Sequence, residues 1–135
     1  MIEFFLPMIP PTVTHQEQKT GVRNGKPYRY EPPELKAARV KIRDAVARYK
    51  PKAPITGPIE MTTTWCFPLD AGGKHFDGEP KTSKPDTDNL QKLLKDCMTA
   101  AGFWKDDAQV YMEIVGKYWA KIPGIYIVVE EVKTP

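Results

Sequence analysis

Two short runs hold the residues whose types and spacing can do chemistry. Lys84-Pro85-Asp86-Thr87-Asp88-Asn89-Leu90-Gln91-Lys92 carries two carboxylates and, one helical turn on, a lysine. Gly102-Phe103-Trp104-Lys105-Asp106-Asp107-Ala108-Gln109-Val110 carries two more carboxylates. Acids crowded into a small space repel one another, and the usual compensation is a hard divalent cation held by oxygen ligands. Asp86 and Asp88 are two residues apart, a spacing that points both side chains the same way on an extended segment. Asp88, Lys92 and Asp96 are spaced by four and share a stripe if a helix begins near Asp88. Gly102 breaks that helix, and a tight return brings Asp106 or Asp107 back toward the first pair.

Three carboxylates around a cation, with a lysine beside them, suit metal-assisted phosphodiester hydrolysis. Mg²⁺ keeps several waters, one of which can become the attacking hydroxide, and a second ion ~4 Å away would stabilise the leaving oxygen. Lys92 would neutralise charge developing on the phosphorus. Singly, every one of these residues has an ordinary explanation. Asp88 or Asn89 is a good helix N-cap. Lys92 with Asp96 is an exposed ion pair worth about 1 kcal/mol or less, and Asp-Asp after Gly is a common turn. Several acids and a lysine converging together weigh toward the metal.

The elements that must position these groups are legible from periodicity and breakers. Ile2-Glu3-Phe4-Phe5-Leu6 alternates as a strand and ends at Pro7, Pro10 and Pro11. Residues 12–33 are polar and rich in Gly and Pro, a long loop, ordered or mobile. Apolar Leu35, Ala38, Ile42, Ala45, Val46 and Tyr49 predict a helix over Glu34–Tyr49, bounded by Pro32, Pro33 and Pro51. Lys36, Arg39, Arg43 and Lys50 line its opposite face. Ile59, Met61, Thr63, Trp65 and Phe67 alternate with polar neighbours, a second strand whose Trp65 and Phe67 belong to the core. Residues 68–85 have turn composition and read as a mobile loop. A helix from about Asn89 to Ala101 follows, stopped by Gly102. Strands near Ala108–Ala120 and Gly124–Val132 complete a single α/β (α+β) domain over 1–135, a mixed sheet of about four strands covered by two main helices.

Bulk composition narrows the class. At 135 residues and 41% hydrophobic, the chain is long enough for one buried core. Its net charge of +3 is mild, but the distribution is uneven: seven basic residues lie between Leu35 and Lys52 against one acid, Asp44. A basic surface beside an acidic pocket suits an anionic substrate together with a metal ion. Cys66 and Cys97 are too few and too separated for a disulfide framework or zinc site, and His15 and His75 show no ligand spacing. The N-terminal stretch carries an acid and runs into prolines, and no apolar run approaches membrane-spanning length, so a soluble cytoplasmic protein is expected with no membrane partner.

Taken together, the two motifs and the interval between them closely resemble the signature of the RusA family of Holliday junction resolvases, crossover-junction endodeoxyribonucleases of bacteria and their prophages. Beyond the motifs, the resemblance extends to chain size, an early strand ending in Pro10-Pro11-Thr12, and a basic helix before the second strand. It implies a homodimer dependent on Mg²⁺, or Mn²⁺ in its place, that resolves four-way junction DNA in recombination and repair. Two-fold symmetry would present one site to each of two equivalent strands. By the resemblance the metal-binding acids are Asp86, Asp88 and Asp107, and the essential lysine is Lys92. Asp106 and Asn89 support them. Lys36, Arg39, Arg43, Lys50 and Lys84 become DNA-binding candidates, against the commoner reading of a solvated helix face. Trp104 either stacks on an unpaired base or is buried under the helix; Tyr28, Arg29 and Tyr30 are weaker contacts. Thr12-Val13-Thr14-His15-Gln16 lacks the asparagine many members carry there, and the loop Leu69–Lys84 looks longer than in compact members. Rival readings are a catalytically idle junction-binding protein and a Mg²⁺-dependent phosphoesterase acting on small nucleotides.

Overall fold

The computed structural model describes residues 1–14 and 19–135. His15 and Gln16, in the segment lacking the family asparagine, lie outside the described residues. In chain order the elements are β1 (Ile2–Leu6), β2 (Lys19–Arg23), β3 (Lys26–Tyr30), α1 (Pro33–Ala47), β4 (Ile59–Pro68), α2 (Thr87–Ala101), β5 (Val110–Ala120) and β6 (Gly124–Glu131). β1, β6, β4 and β5 form one sheet in that order, antiparallel except for the parallel β4–β5 pair. The parallel pair follows from the chain path: α2 is the crossover that carries the backbone from the end of β4 to the start of β5.

Strict alternation along β4 puts Ile59, Met61, Thr63, Trp65 and Phe67 on one buried face. Thr63 lies level with Ile127 of β6, which in turn pairs with Phe4 of β1. Both helices close over that face, α1 through Leu35, Ile42 and Val46 and α2 through Leu90, Leu93, Leu94 and Met98. Pro33 opens α1, where a missing N–H costs nothing. The architecture is the α+β domain read from the sequence, with Trp65 and Phe67 in the core as expected.

Two segments depart from expectation. Much of the 12–33 loop is a β-hairpin, β2 paired with β3. Its turn is Asn24-Gly25, both at positive φ (52° and 75°), the conformation that twists two strands together in a two-residue connection. The low apolar content of its strands hid a turn signal that stood in the sequence. Nor is 68–85 an unattached loop. It lies along the open edge of β5: Gly78 donates to Trp119 O at 2.8 Å, Trp119 to Glu79 O at 2.8 Å, and Lys81 to Lys117 O at 3.0 Å. The edge strand thereby finds partners for backbone groups that would otherwise stay unpaired.

Candidate active site

Asp86 is the N-cap of α2, extended at φ −72° and ψ 148°, and its backbone oxygen accepts from Leu90 N at 3.1 Å. Asp88 falls inside the first turn, so the helix starts two residues before the expected Asn89 and the two acids do not share an extended strand. Both stand at the positive end of the helix dipole, which favours carboxylates there. Asp86 takes Lys84 Nζ at 2.9 Å, Asp88 is exposed, and Asn89 is buried. One turn on, Gln91 is buried and Lys92 is exposed. Gln91 accepts from Thr63 Oγ1 at 2.8 Å and donates to Glu113 at 3.2 Å, which sets α2 against the sheet.

Lys92 faces the returning chain. Gly102, at φ 97°, ends α2 with its N–H directed to Met98 O and Thr99 O, while Phe103 N–H also reaches Met98 O. Phe103 and Trp104 then plunge into the core. Trp104 is 1% exposed and donates to Thr99 Oγ1 at 2.7 Å, which decides for burial over stacking on a base. Asp106 caps a short 3₁₀ turn, Asp107–Gln109, in a reciprocal capping box with Gln109. Gln109 also donates to Ile55 O at 2.8 Å and Gly57 O at 3.2 Å, anchoring the turn to the loop before β4. Asp107 is thereby delivered to Lys92, whose Nζ stands 3.1 Å from Asp107 Oδ2 and 3.1 Å from Asp96 Oδ1. Donating hydrogen bonds to Asp107 first and then to Asp96 raises the Lys92 pKa, and accepting the bond from Lys92 lowers that of Asp107. Asp106 spends its side chain on Ala108 N, capping the turn.

The anionic end of α2 is therefore real, and its oxygen donors match a hard divalent cation in type. Among the described residues, however, no three Asp, Glu, His or Cys side chains converge within reach of one ion. Lys92 brings together Asp107 and Asp96; Asp86 and Asp88 lie at the N-terminus of the same helix, and Asp86 engages Lys84.

The basic helix divides. Lys36 and Arg43 are exposed, and Lys50 is exposed but beyond the end of α1 at Ala47, so it does not belong to the helix face. Arg39 is committed within the protein: its guanidinium meets Glu31 at 2.7 Å and Asp96 at 3.6 Å. Glu31, Arg39, Asp96, Lys92 and Asp107 thus form one chain of alternating charge running from α1 to the 3₁₀ turn.

Two lysines behind the site were not singled out from the sequence. Lys117 Nζ donates to the carbonyls of Ser83 and Pro85 at 2.7 Å each, gripping the backbone immediately before Asp86. Lys81, 8% exposed, bonds Ser83 Oγ at 2.6 Å and lies 4.2 Å over the Trp119 ring. Burial, and secondarily Lys117, lowers its pKa. His75 stacks on Trp119 at 4.0 Å and pairs with Glu79 at 2.6 Å. No local sequence signal marks the contacts with Lys117 and Trp119, because each joins the 68–85 segment to a strand more than thirty positions later.

The sequence pattern of the family described as Endodeoxyribonuclease RusA matches residues 9–130 of the chain. This chain belongs to that RusA family. A Bacillus subtilis (strain 168) relative, the uncharacterized protein YqaN, is 26% identical over 129 residues, covering 89% of this chain and 90% of YqaN. The crossover junction endodeoxyribonuclease RusA of Escherichia coli K12 is 58% identical over 31 residues, covering 23% of this chain and 26% of that enzyme. Its namesake from Lactococcus phage r1t is 34% identical over 53 residues, 39% of each chain. The aligned stretch thus spans about a quarter of the E. coli enzyme. Among the described residues no helix is long and apolar enough to cross a membrane.

Proposed function

We propose that this RusA-family endodeoxyribonuclease resolves four-way DNA junctions by paired symmetric nicks, acting as a Mg²⁺-dependent homodimer in which Mn²⁺ can substitute. The observation that carries the reading is the return of Asp107 to Lys92 at 3.1 Å, which gathers both motifs at one place. The family resemblance assigns Mg²⁺ to Asp86, Asp88 and Asp107, whose side chains do not converge on one ion among the described residues. When bound, the ion would supply an acidified water and charge stabilisation at the phosphorus. The chain's own contribution is to orient. Asp96, from the same helix as Lys92, keeps the ammonium over the site when Asp107 is engaged elsewhere. Lys92 then meets the phosphate. Lys36, Arg43, Lys50 and Lys84, all exposed, contact the DNA backbone. Arg39 acts indirectly, by holding Asp96.

The test is incubation of the protein with a synthetic four-way junction and with a linear duplex, with and without Mg²⁺. Cutting of the junction alone, dependent on Mg²⁺ and abolished in Asp88→Asn, is expected. Equal cutting of both substrates, or junction cleavage that survives EDTA, would overturn the mechanism. Junction binding without cleavage under every metal condition would favour an idle binding protein.

A further inference from the structure

The β2–β3 hairpin stands apart from the sheet. It pairs with itself and makes at most sparse contact with any other named element. A lone two-stranded ribbon is marginally stable in water, and this one leaves large side chains uncovered: Val22 is 75% exposed, Tyr28 38% and Tyr30 40%. Its register sorts the side chains by face. Gly21 lies opposite Tyr28 and Arg23 opposite Lys26, so by alternation Arg23, Lys26, Tyr28 and Tyr30 share one face with Gly21. The missing side chain at Gly21 is what lets Tyr28 lie flat across the ribbon, since a Cβ there would sit 2.9 Å from its ring. Tyr28 and Tyr30 are 5.7 Å apart, and the Arg23 guanidinium lies 5.1 Å from the Tyr28 centroid. Between residues 19 and 30 the sequence contains no acid.

We propose that this face is a nucleic-acid contact surface, on which unpaired bases stack against Tyr28 and Tyr30 while Arg23 and Lys26 meet the neighbouring phosphates. Charge complementarity selects the occupant: exposed aromatic rings interleaved with cations, and no carboxylate among them, match a polyanion that offers free base faces. Such faces exist at a branch point and in single strands, and are stacked away in a continuous duplex. The ribbon therefore discriminates the branched substrate from the linear one, a role that rests on the junction-resolving reading for its biological setting but not for its chemistry.

Binding of the full-length protein to a fluorescent four-way junction, a linear duplex and a single-stranded oligonucleotide, all in EDTA, tests this. Tyr28→Ala with Tyr30→Ala should weaken junction and single-strand binding by about tenfold and duplex binding by much less. Tyr28→Phe with Tyr30→Phe should restore binding, since a phenyl ring stacks as well. Arg23→Glu with Lys26→Glu should weaken all three and flatten the salt dependence. Junction and single-strand affinities unchanged in the Tyr→Ala pair would overturn the proposal, as would an equal loss on duplex. A change from dimer to monomer in that pair, with affinity per protomer retained, would assign the face to self-association and overturn it too. Single-strand binding lost in the Tyr→Ala pair stands even if the wild-type chain fails to cut junctions, so the two readings fail separately.

Discussion

Lys92 and Asp107 are 15 positions apart in the chain and their charged atoms are 3.1 Å apart in space. That contact is made by a helix that stops at Gly102, two buried aromatic residues that fold the chain back, and a capped turn that presents the acid. It joins the two chemical motifs, and its consequences can be measured.

Removing the ammonium should separate catalysis from binding. In Lys92→Ala, junction cleavage should fall by at least about 100-fold, as expected when a group stabilising transition-state charge is lost. Junction affinity should stay within about threefold of wild type, since one phosphate contact at most is removed. The ion pairs involved are exposed, so urea unfolding should shift by no more than about 1 kcal/mol. Single-turnover cleavage and anisotropy on the same variant check the pair of outcomes.

The pH dependence has a definite sign. The Asp107 pKa is lowered in the folded protein, chiefly by the Lys92 hydrogen bond, so its contribution to stability is present above the unfolded carboxylate pKa and fades as pH falls through the folded value. The Lys92 pKa is raised, so its contribution is complete below the unfolded lysine pKa and is lost as pH climbs through the folded one. Both terms are intact around neutrality. In an NMR titration, Lys92→Ala should move the Asp107 midpoint upward; an unmoved midpoint would show that the pair does not persist in solution.

The turn that carries Asp107 depends on Gln109. Gln109→Ala leaves Ile55 O and Gly57 O without their donor and opens the capping box, at a cost of about 1–3 kcal/mol. Cleavage should fall more than the stability loss explains, because Asp107 loses its fixed approach to Lys92. Chemical denaturation alongside cleavage assays, run well below the unfolding midpoint, resolves the two effects.

Much of this arrangement could be read from the chain, and the boundary of legibility is physical. The period-two pattern of β4 and the apolar stripe of α2 are local consequences of burial, and Gly102 and Pro33 act on their own backbones, so these elements were placed within a residue or two. The return of the chain after Gly102 was inferable because a glycine stop leaves few other paths, but it was expected toward Asp86 and Asp88. Asp107 instead meets Lys92, and among the described residues no three acids converge on one ion. What escaped depends on partners distant in sequence. Arg39 looked like a phosphate grip until Glu31 and Asp96 claimed it. The 68–85 segment looked free because its anchors, Lys117 and Trp119, belong to an edge strand. Asn24-Gly25 was a visible turn signal, but its flanking strands lack the apolar alternation that normally announces a hairpin.

Lys117 offers a test of that hidden support. Its two bonds fix the carbonyls of Ser83 and Pro85 next to Asp86. Outer residues that orient metal ligands typically contribute about 10–100-fold in metal affinity or activity. Lys117→Met should raise the Mg²⁺ concentration needed for half-maximal cleavage within that range and weaken Mn²⁺ binding followed by electron paramagnetic resonance. His75→Ala, which undoes the stack on Trp119 in the same segment, should lower thermal stability and leave the Mg²⁺ requirement unchanged.

The central claim is that Asp86, Asp88 and Asp107 serve one metal-dependent cut at a branch point. It is tested most directly by mapping nicks at nucleotide resolution on a four-way junction labelled in each strand, using wild type and the three Asp→Asn variants in Mg²⁺. The account predicts symmetric nicks in two opposing strands for wild type and none for any variant, with junction binding preserved in all. Symmetric nicks persisting in any one of the three variants would contradict it.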